Sequence, residues 1–158
     1  MVACREDFTV TAQASLATMT PAKAAAALVA EHAADPEWLD AFADSLDRRR
    51  ARRDLERMLA VWGLSQAEAG RMFGVSRQAV AKWLADGIPA DRAVAIADLS
   101  AATDLLVRYL SRDRIPAVVR RPIPAEGGSS LLDLLAQGSH GDIVRVCRAM
   151  FDFGAVQP

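Results

Sequence analysis

Apolar residues recur at helical spacing along most of the chain, and they divide it into a succession of helices. The first 19 residues lack periodicity and are expected to be unstructured. Thr20-Pro21 then places a capping residue before proline at a first helical position, which predicts a helix to about Ala33. Asp35-Pro36 repeats the signal. Beyond it Trp38, Leu39, Phe42, Leu46, Leu55, Leu59 and Trp62 predict either one long helix over about Pro36 to Trp62 or two joined near Asp47. After Pro89 the stretch from Ala90 to Leu110 reads as helix, with its apolar face at Val94, Ala97, Leu105 and Leu106. Three prolines and two glycines preclude a regular helix over Ile115 to Ser130. A short helix at Leu131 to Gln137, a turn at Gly138 to Gly141, and a final helix capped by Asp142 and running to about Phe153 complete the pattern. No segment reads as a strand.

The stretch from Ser65 to Leu84 carries a more specific pattern. Ser65-Gln66-Ala67-Glu68 is a capping box, a serine hydroxyl that accepts from the third amide and a glutamate that reaches back. Gly70 is small where a second helix has to cross closely, and Met72 and Phe73 are apolar. Gly74 stands where the chain must turn left-handed, which glycine does without steric cost. Val75 fills the angle between the helices, Ser76 caps the second one, and Val80, Trp83 and Leu84 face the core. This order of small, apolar, glycine and valine positions is what two helices crossing at about 90–120° require, and it predicts a helix-turn-helix. The second helix would lie in the major groove. Arg77 and Gln78 would be at its base-facing start and Lys82 one turn later. Ser76 caps that helix, and Gln66 stands where the first helix would meet phosphate. Trp83 reads as a core residue.

Charge sharpens this picture. The net charge of −1 over 158 residues conceals a strong asymmetry. Residues 1–47 hold two basic and eight acidic side chains, residues 48–92 hold ten basic and five acidic, and the remainder hold seven of each. The basic excess falls in the segment with the helix-turn-helix pattern, and local charge governs contact with phosphate. The run Arg48-Arg49-Arg50-Ala51-Arg52-Arg53 is open to two readings: a contact to the DNA backbone, or a solvated face with Asp44 and Glu56 at pairing distance.

Composition excludes several other classes. The 52% hydrophobic content comes mostly from Ala, Leu and Val, which favours helices. No stretch reaches the roughly 18 apolar residues of a membrane span, and the charged start does not resemble a signal peptide. Cys4 and Cys147 are read as two reduced thiols of a cytoplasmic protein. His32 and His140 have no carboxylate or cysteine at ligand or triad spacing, and there is no Gly-rich phosphate loop. Neither an enzyme nor a cofactor or metal site is expected.

From Met58 onward the sequence resembles the Xre/MbcA/ParS family of antitoxins. The resemblance is carried by Gln66 to Leu84 and by the tract Arg121-Pro122-Ile123-Pro124-Ala125-Glu126-Gly127-Gly128-Ser129-Ser130-Leu131-Leu132-Asp133-Leu134-Leu135. Gly141-Asp142 followed by Val144, Val146, Met150, Phe151 and Gly154 adds to it. The resemblance implies a type II toxin–antitoxin pair. Its toxin would be a RES-domain enzyme that consumes NAD, blocked by the C-terminal domain and tail, and the complex would repress its own promoter. The toxin-binding residues it implies are Gly127, Gly128, Leu131, Phe151, Phe153 and Gly154. Phe151 and Phe153 either meet a partner groove or pack within the domain. The rival reading is a stand-alone dimeric repressor without a toxin. Both readings predict self-association on double-stranded operator DNA, because one helix-turn-helix unit reads too few base pairs to be selective. The antitoxin reading adds a higher hetero-oligomer with toxin.

The expected architecture is therefore all-α. Residues 1–19 are expected to be unstructured, 20–53 to form an N-terminal helical extension, 54–112 a helix-turn-helix domain, and 113–158 a small helical toxin-binding domain.

Overall fold

The computed structural model describes residues 18–152. The expectation for the first 17 residues, and the candidate residues Phe153 and Gly154, lie outside the described part. Eight α-helices and two single turns of 3-10 helix occur among the described residues, and no strand. The all-α expectation is met.

The chain divides into two compact units, the first ending at Ser45 and the second beginning at Leu46. In the first, α1 (Pro21–Glu31) begins with proline in its first turn, but Thr20 makes no side-chain cap bond and no residue of the helix is buried. Asp35 starts α2 (Pro36–Trp62) by accepting from the backbone N–H of Trp38 at 3.0 Å. The Trp38 ring lies between His32, stacked at 3.5 Å, and Phe42 at 5.2 Å. Of the two possibilities for this stretch, the single uninterrupted helix is the one that forms.

The second unit has one continuous core. α2 contributes Leu55, Met58 and Trp62, α3 (Gln66–Phe73) Ala69, Met72 and Phe73, and α4 (Arg77–Asp86) Val80 and Trp83. α5 (Ala90–Tyr109) adds Ile96, Leu99, Ala102 and Leu106. The short α6 (Ile115–Val118), α7 (Leu131–Ala136) and α8 (Ile143–Met150) close it with Ile115, Leu131, Leu135, Ile143, Val146 and Cys147. The core thus holds residues from both sides of position 113. Trp62 buries its ring completely, so its indole N–H needs a partner. It donates to the Thr103 hydroxyl at 3.0 Å, which in turn donates to the Leu99 carbonyl at 2.7 Å.

Three local expectations are corrected. The buried stripe of α5 runs through Ile96, Leu99, Ala102, Thr103 and Leu106, whereas Val94 is 73% exposed and Ala97 is exposed too. The helix carries apolar residues at helical spacing on two sides, and the larger side chains of the Ile96 stripe go to the core. Residues 115–130 are not wholly irregular, since Ile115–Val118 form one helical turn with Pro116 at its second position, within the first turn where a missing N–H costs nothing. Asp142 precedes α8 without capping it. A 3-10 turn (His140–Asp142) runs straight into the helix, so Asp142 has helical rather than extended backbone and its carboxylate accepts from Arg145 instead. That helix ends at Met150, with Phe151 as its C-cap residue.

Candidate nucleic-acid interface and partner-facing segment

α3 begins as a reciprocal capping box. The Ser65 N–H donates to Glu68 Oε2 at 2.8 Å, and the Glu68 N–H donates to Ser65 Oγ at 3.3 Å. It ends at Gly74, whose φ of +64° is left-handed, a conformation that β-carbons disfavour. Crossing of the two helices is tightest at Gly70. A β-carbon there would lie 2.7 Å from the Val75 carbonyl oxygen and 3.3 Å from the carbonyl carbon of Ser76. Phe73 meets Trp83 of α4 edge to face at 5.6 Å. Trp83 is buried in the core and does not reach solvent to stack on a base.

Gln66 is the first residue of α3 and is half-buried. Ser76 caps α4 by accepting from the Ala79 N–H at 3.1 Å. Ser76, Arg77, Gln78 and Lys82 are all exposed. Arg77, Gln78, Ala81, Lys82 and Ala85 line the helix face opposite Val80 and Trp83, so cationic and amide side chains share one uncovered surface. The arginine run of α2 lies at the other end of α4. Arg52 Nη1 reaches the Ala85 carbonyl at 3.4 Å while Nε pairs with Glu56, and Arg48 packs beneath Gly87. A cation there complements the negative end of the helix dipole.

The implied toxin-facing residues occupy different surroundings. Gly127 and Gly128 are exposed in a turn closed by the Gly128 N–H donating to the Ile123 carbonyl at 3.0 Å. Leu131 is completely buried and belongs to the core. Phe151 is half-buried and stacks on Tyr109 at 4.7 Å. It also helps line a cavity of about 320 Å³ with Leu110, Val118, Arg121, Pro122, Ile123, Pro124 and Met150. α7 begins with a second capping box, Ser130 with Asp133. Cys147 is buried, and loss of hydration pushes its thiol up to about 12, so it is not a nucleophile at neutral pH.

One functional candidate has no signal in the sequence. Arg120, just after α6, donates through Nη1 to the carbonyls of Trp62 at 3.2 Å and Pro116 at 2.8 Å. Through Nη2 it donates to the Gly63 carbonyl at 2.9 Å and to Glu68 Oε1 at 3.0 Å. Together with the Ser65 hydrogen bonds, which contribute most, this contact lowers the Glu68 carboxyl from its ordinary 4.5 to about 2. His140, for which no metal partners were found in the sequence, lies flat on Phe73 at 5.5 Å.

No protein-family model and no curated protein sequence matches the chain. Among solved structures, a chain of the Mycobacterium tuberculosis MbcT–MbcA toxin–antitoxin complex superposes with a TM-score of 0.54 at 21% identity. The match covers 67% of this chain and 96% of that one. At that level of identity the likeness establishes a shared helical fold. No helix among the described residues is long and apolar enough to cross a membrane.

Proposed function

We propose that this chain is the antitoxin of a type II toxin–antitoxin pair. α3 and α4 act as a helix-turn-helix on operator DNA in the cytoplasm, and the segment from residue 113 onward neutralises a RES-domain toxin that consumes NAD. The observation that carries the reading is the fold shared with a chain of a toxin–antitoxin complex, over nearly the whole length of that chain. The geometry of α3 and α4 supports the DNA-binding part. The close crossing at Gly70 fixes the angle between the helices, and the face turned away from the core carries Arg77, Gln78 and Lys82. Arg77 pairs bidentately with guanine and Gln78 with adenine, while Gln66 and Ser76 fix the register on phosphate. A dimer doubles the site read, and toxin joins it in a larger hetero-oligomer.

Co-expression with the adjacent reading frame tests the antitoxin role. The neighbour is expected to be toxic alone, harmless in the presence of this chain, and to co-purify with it. A harmless neighbour that does not co-purify overturns the role. It leaves the stand-alone repressor, a reading favoured by the burial of Leu131 and the stacking of Phe151 on Tyr109, which turn both side chains to internal packing. Removing the residues after Asp152 separates the two readings further. An antitoxin loses neutralisation and keeps DNA binding, whereas a plain repressor loses both functions or neither. For the DNA contact itself, Arg77→Ala is expected to weaken binding by about 1–3 kcal/mol, chiefly at one base position. Equal weakening on operator and on random DNA would remove that assignment.

A further inference from the structure

α3 is gripped at both ends by the C-terminal segment. At its start, Arg120 holds the capping glutamate Glu68 and the carbonyls of Trp62, the last residue of α2, and Gly63, which follows it. At its end, the His140 ring lies on Phe73, and Phe73 in turn meets Trp83 of α4. Between these points α3 packs on α7 and carries α4 across Gly70 with no room for a methyl group. Nothing in a helix-turn-helix requires such a brace, because the local caps at Ser65 and Ser76 already define the two helices. The brace fixes where the pair stands on the rest of the core.

We infer that Arg120 is a positioning residue for DNA recognition: from the C-terminal segment it holds α3, and through α3 the base-facing α4, at the angle that selective binding needs. All four Nη hydrogens of Arg120 are engaged by acceptors of this chain, so its guanidinium acts on DNA through Glu68 rather than by touching phosphate. Misalignment by a fraction of an ångström leaves phosphate attraction nearly intact but spoils bidentate base contacts, whose geometry is strict. Selective binding is therefore the quantity that depends on Arg120. The inference rests on the DNA-binding reading above.

The sign of one substitution separates this role from simple electrostatics. Glu68→Gln removes a negative charge from the basic half of the chain, and by Coulomb attraction alone it would tighten binding to any DNA. It also keeps a side-chain acceptor for the cap, since glutamine as well as glutamate occurs at the third position of a capping box, while weakening the grip of Arg120. A duplex enriched by the wild-type protein from a random pool, and a scrambled duplex of equal composition, serve as probes in fluorescence anisotropy. Glu68→Gln is expected to lower the ratio of selected to scrambled affinity by on the order of tenfold, as for a lost charged hydrogen bond. Arg120→Gln is expected to lower it further, and Arg120→Lys to lie between, because one ammonium cannot span four acceptors.

Thermal unfolding and circular dichroism identify variants that fold. If Arg120→Gln does not, Glu68→Gln and Arg120→Lys carry the test. An unchanged ratio in the folded variants, or tighter selective binding by Glu68→Gln, overturns the positioning role. Failure of the DNA-binding reading has a different signature: the wild-type protein enriches no sequence, or Arg77→Ala leaves its ratio intact.

Discussion

The two capping boxes of the second unit are built alike and placed unlike. Ser65 with Glu68 starts α3, and Ser130 with Asp133 starts α7, each with the serine amide and hydroxyl on one carboxylate oxygen at 2.6–2.9 Å. Ser130 is buried, and the helix it caps is fixed by two completely buried leucines, Leu131 and Leu135. Ser65 is exposed, and the second oxygen of Glu68 is gripped by Arg120, 52 positions along the chain. One box thus closes a helix that burial already holds. The other ties a helix to a distant segment by ionic hydrogen bonds. α7 should therefore fail by losing apolar contacts, and α3 by losing alignment.

The largest effect expected is at α7. Leu135→Ala removes a completely buried side chain and should destabilise the fold by about 2–5 kcal/mol in chemical denaturation. A loss below about 1 kcal/mol would mean that α7 is not anchored through its leucines.

A smaller effect is expected at the crossing of α3 and α4. Gly70→Ala brings a methyl group to 2.7 Å from a backbone carbonyl, which cannot rotate away as a side chain would. Overpacking of this kind costs about 1–3 kcal/mol. On the proposed DNA-binding reading, the distinctive outcome is a loss of selectivity for DNA larger than the loss of stability implies, because the methyl group pushes the two helices apart. Unchanged selectivity in folded protein would mean that the crossing angle has no role in reading DNA.

These sites also differ in how far the sequence reveals them. The start of α3, the turn at Gly74 and the cap at Ser76 are local, set by residues within four positions of each other, so pattern and steric reasoning suffice. The single long α2 is less legible, since nothing near Asp47 either breaks or enforces the helix. The buried face of α5 is ambiguous for a definite reason: apolar residues occur at helical spacing on two sides, and only the neighbours decide between Ile96 and Val94. Arg120 and His140 are invisible to such reasoning. Their partners Glu68 and Phe73 lie more than 50 residues away in sequence, and an arginine after a proline-initiated turn looks like any surface cation. Of the residues assigned to a toxin surface by family resemblance, Leu131 marks the same limit, because an apolar run is consistent with either a core or an interface.

The smallest effect distinguishes the two boxes by acid titration. Hydrogen bonds from Ser65 and the Arg120 contact hold the Glu68 carboxyl at about 2, below its ordinary 4.5. Asp133 is held below its ordinary 3.8 by Ser130 alone. A carboxylate whose folded value is depressed contributes stability that is complete above its unfolded value and is lost as pH falls through the folded one. Glu68 therefore begins to lose its contribution near pH 4.5, before Asp133, and has lost it by about pH 2. Glu68→Gln cannot ionise, so the stability difference between wild type and this variant should be constant above about pH 5 and shrink between 4.5 and 2. The corresponding difference for Asp133→Asn should begin to shrink only below 3.8. Urea unfolding across this range measures both. The size of the fall, not its onset, reports the extra partner: if the Glu68 difference shrinks by no more than that of Asp133, the pairing with Arg120 adds nothing to the Glu68 cap.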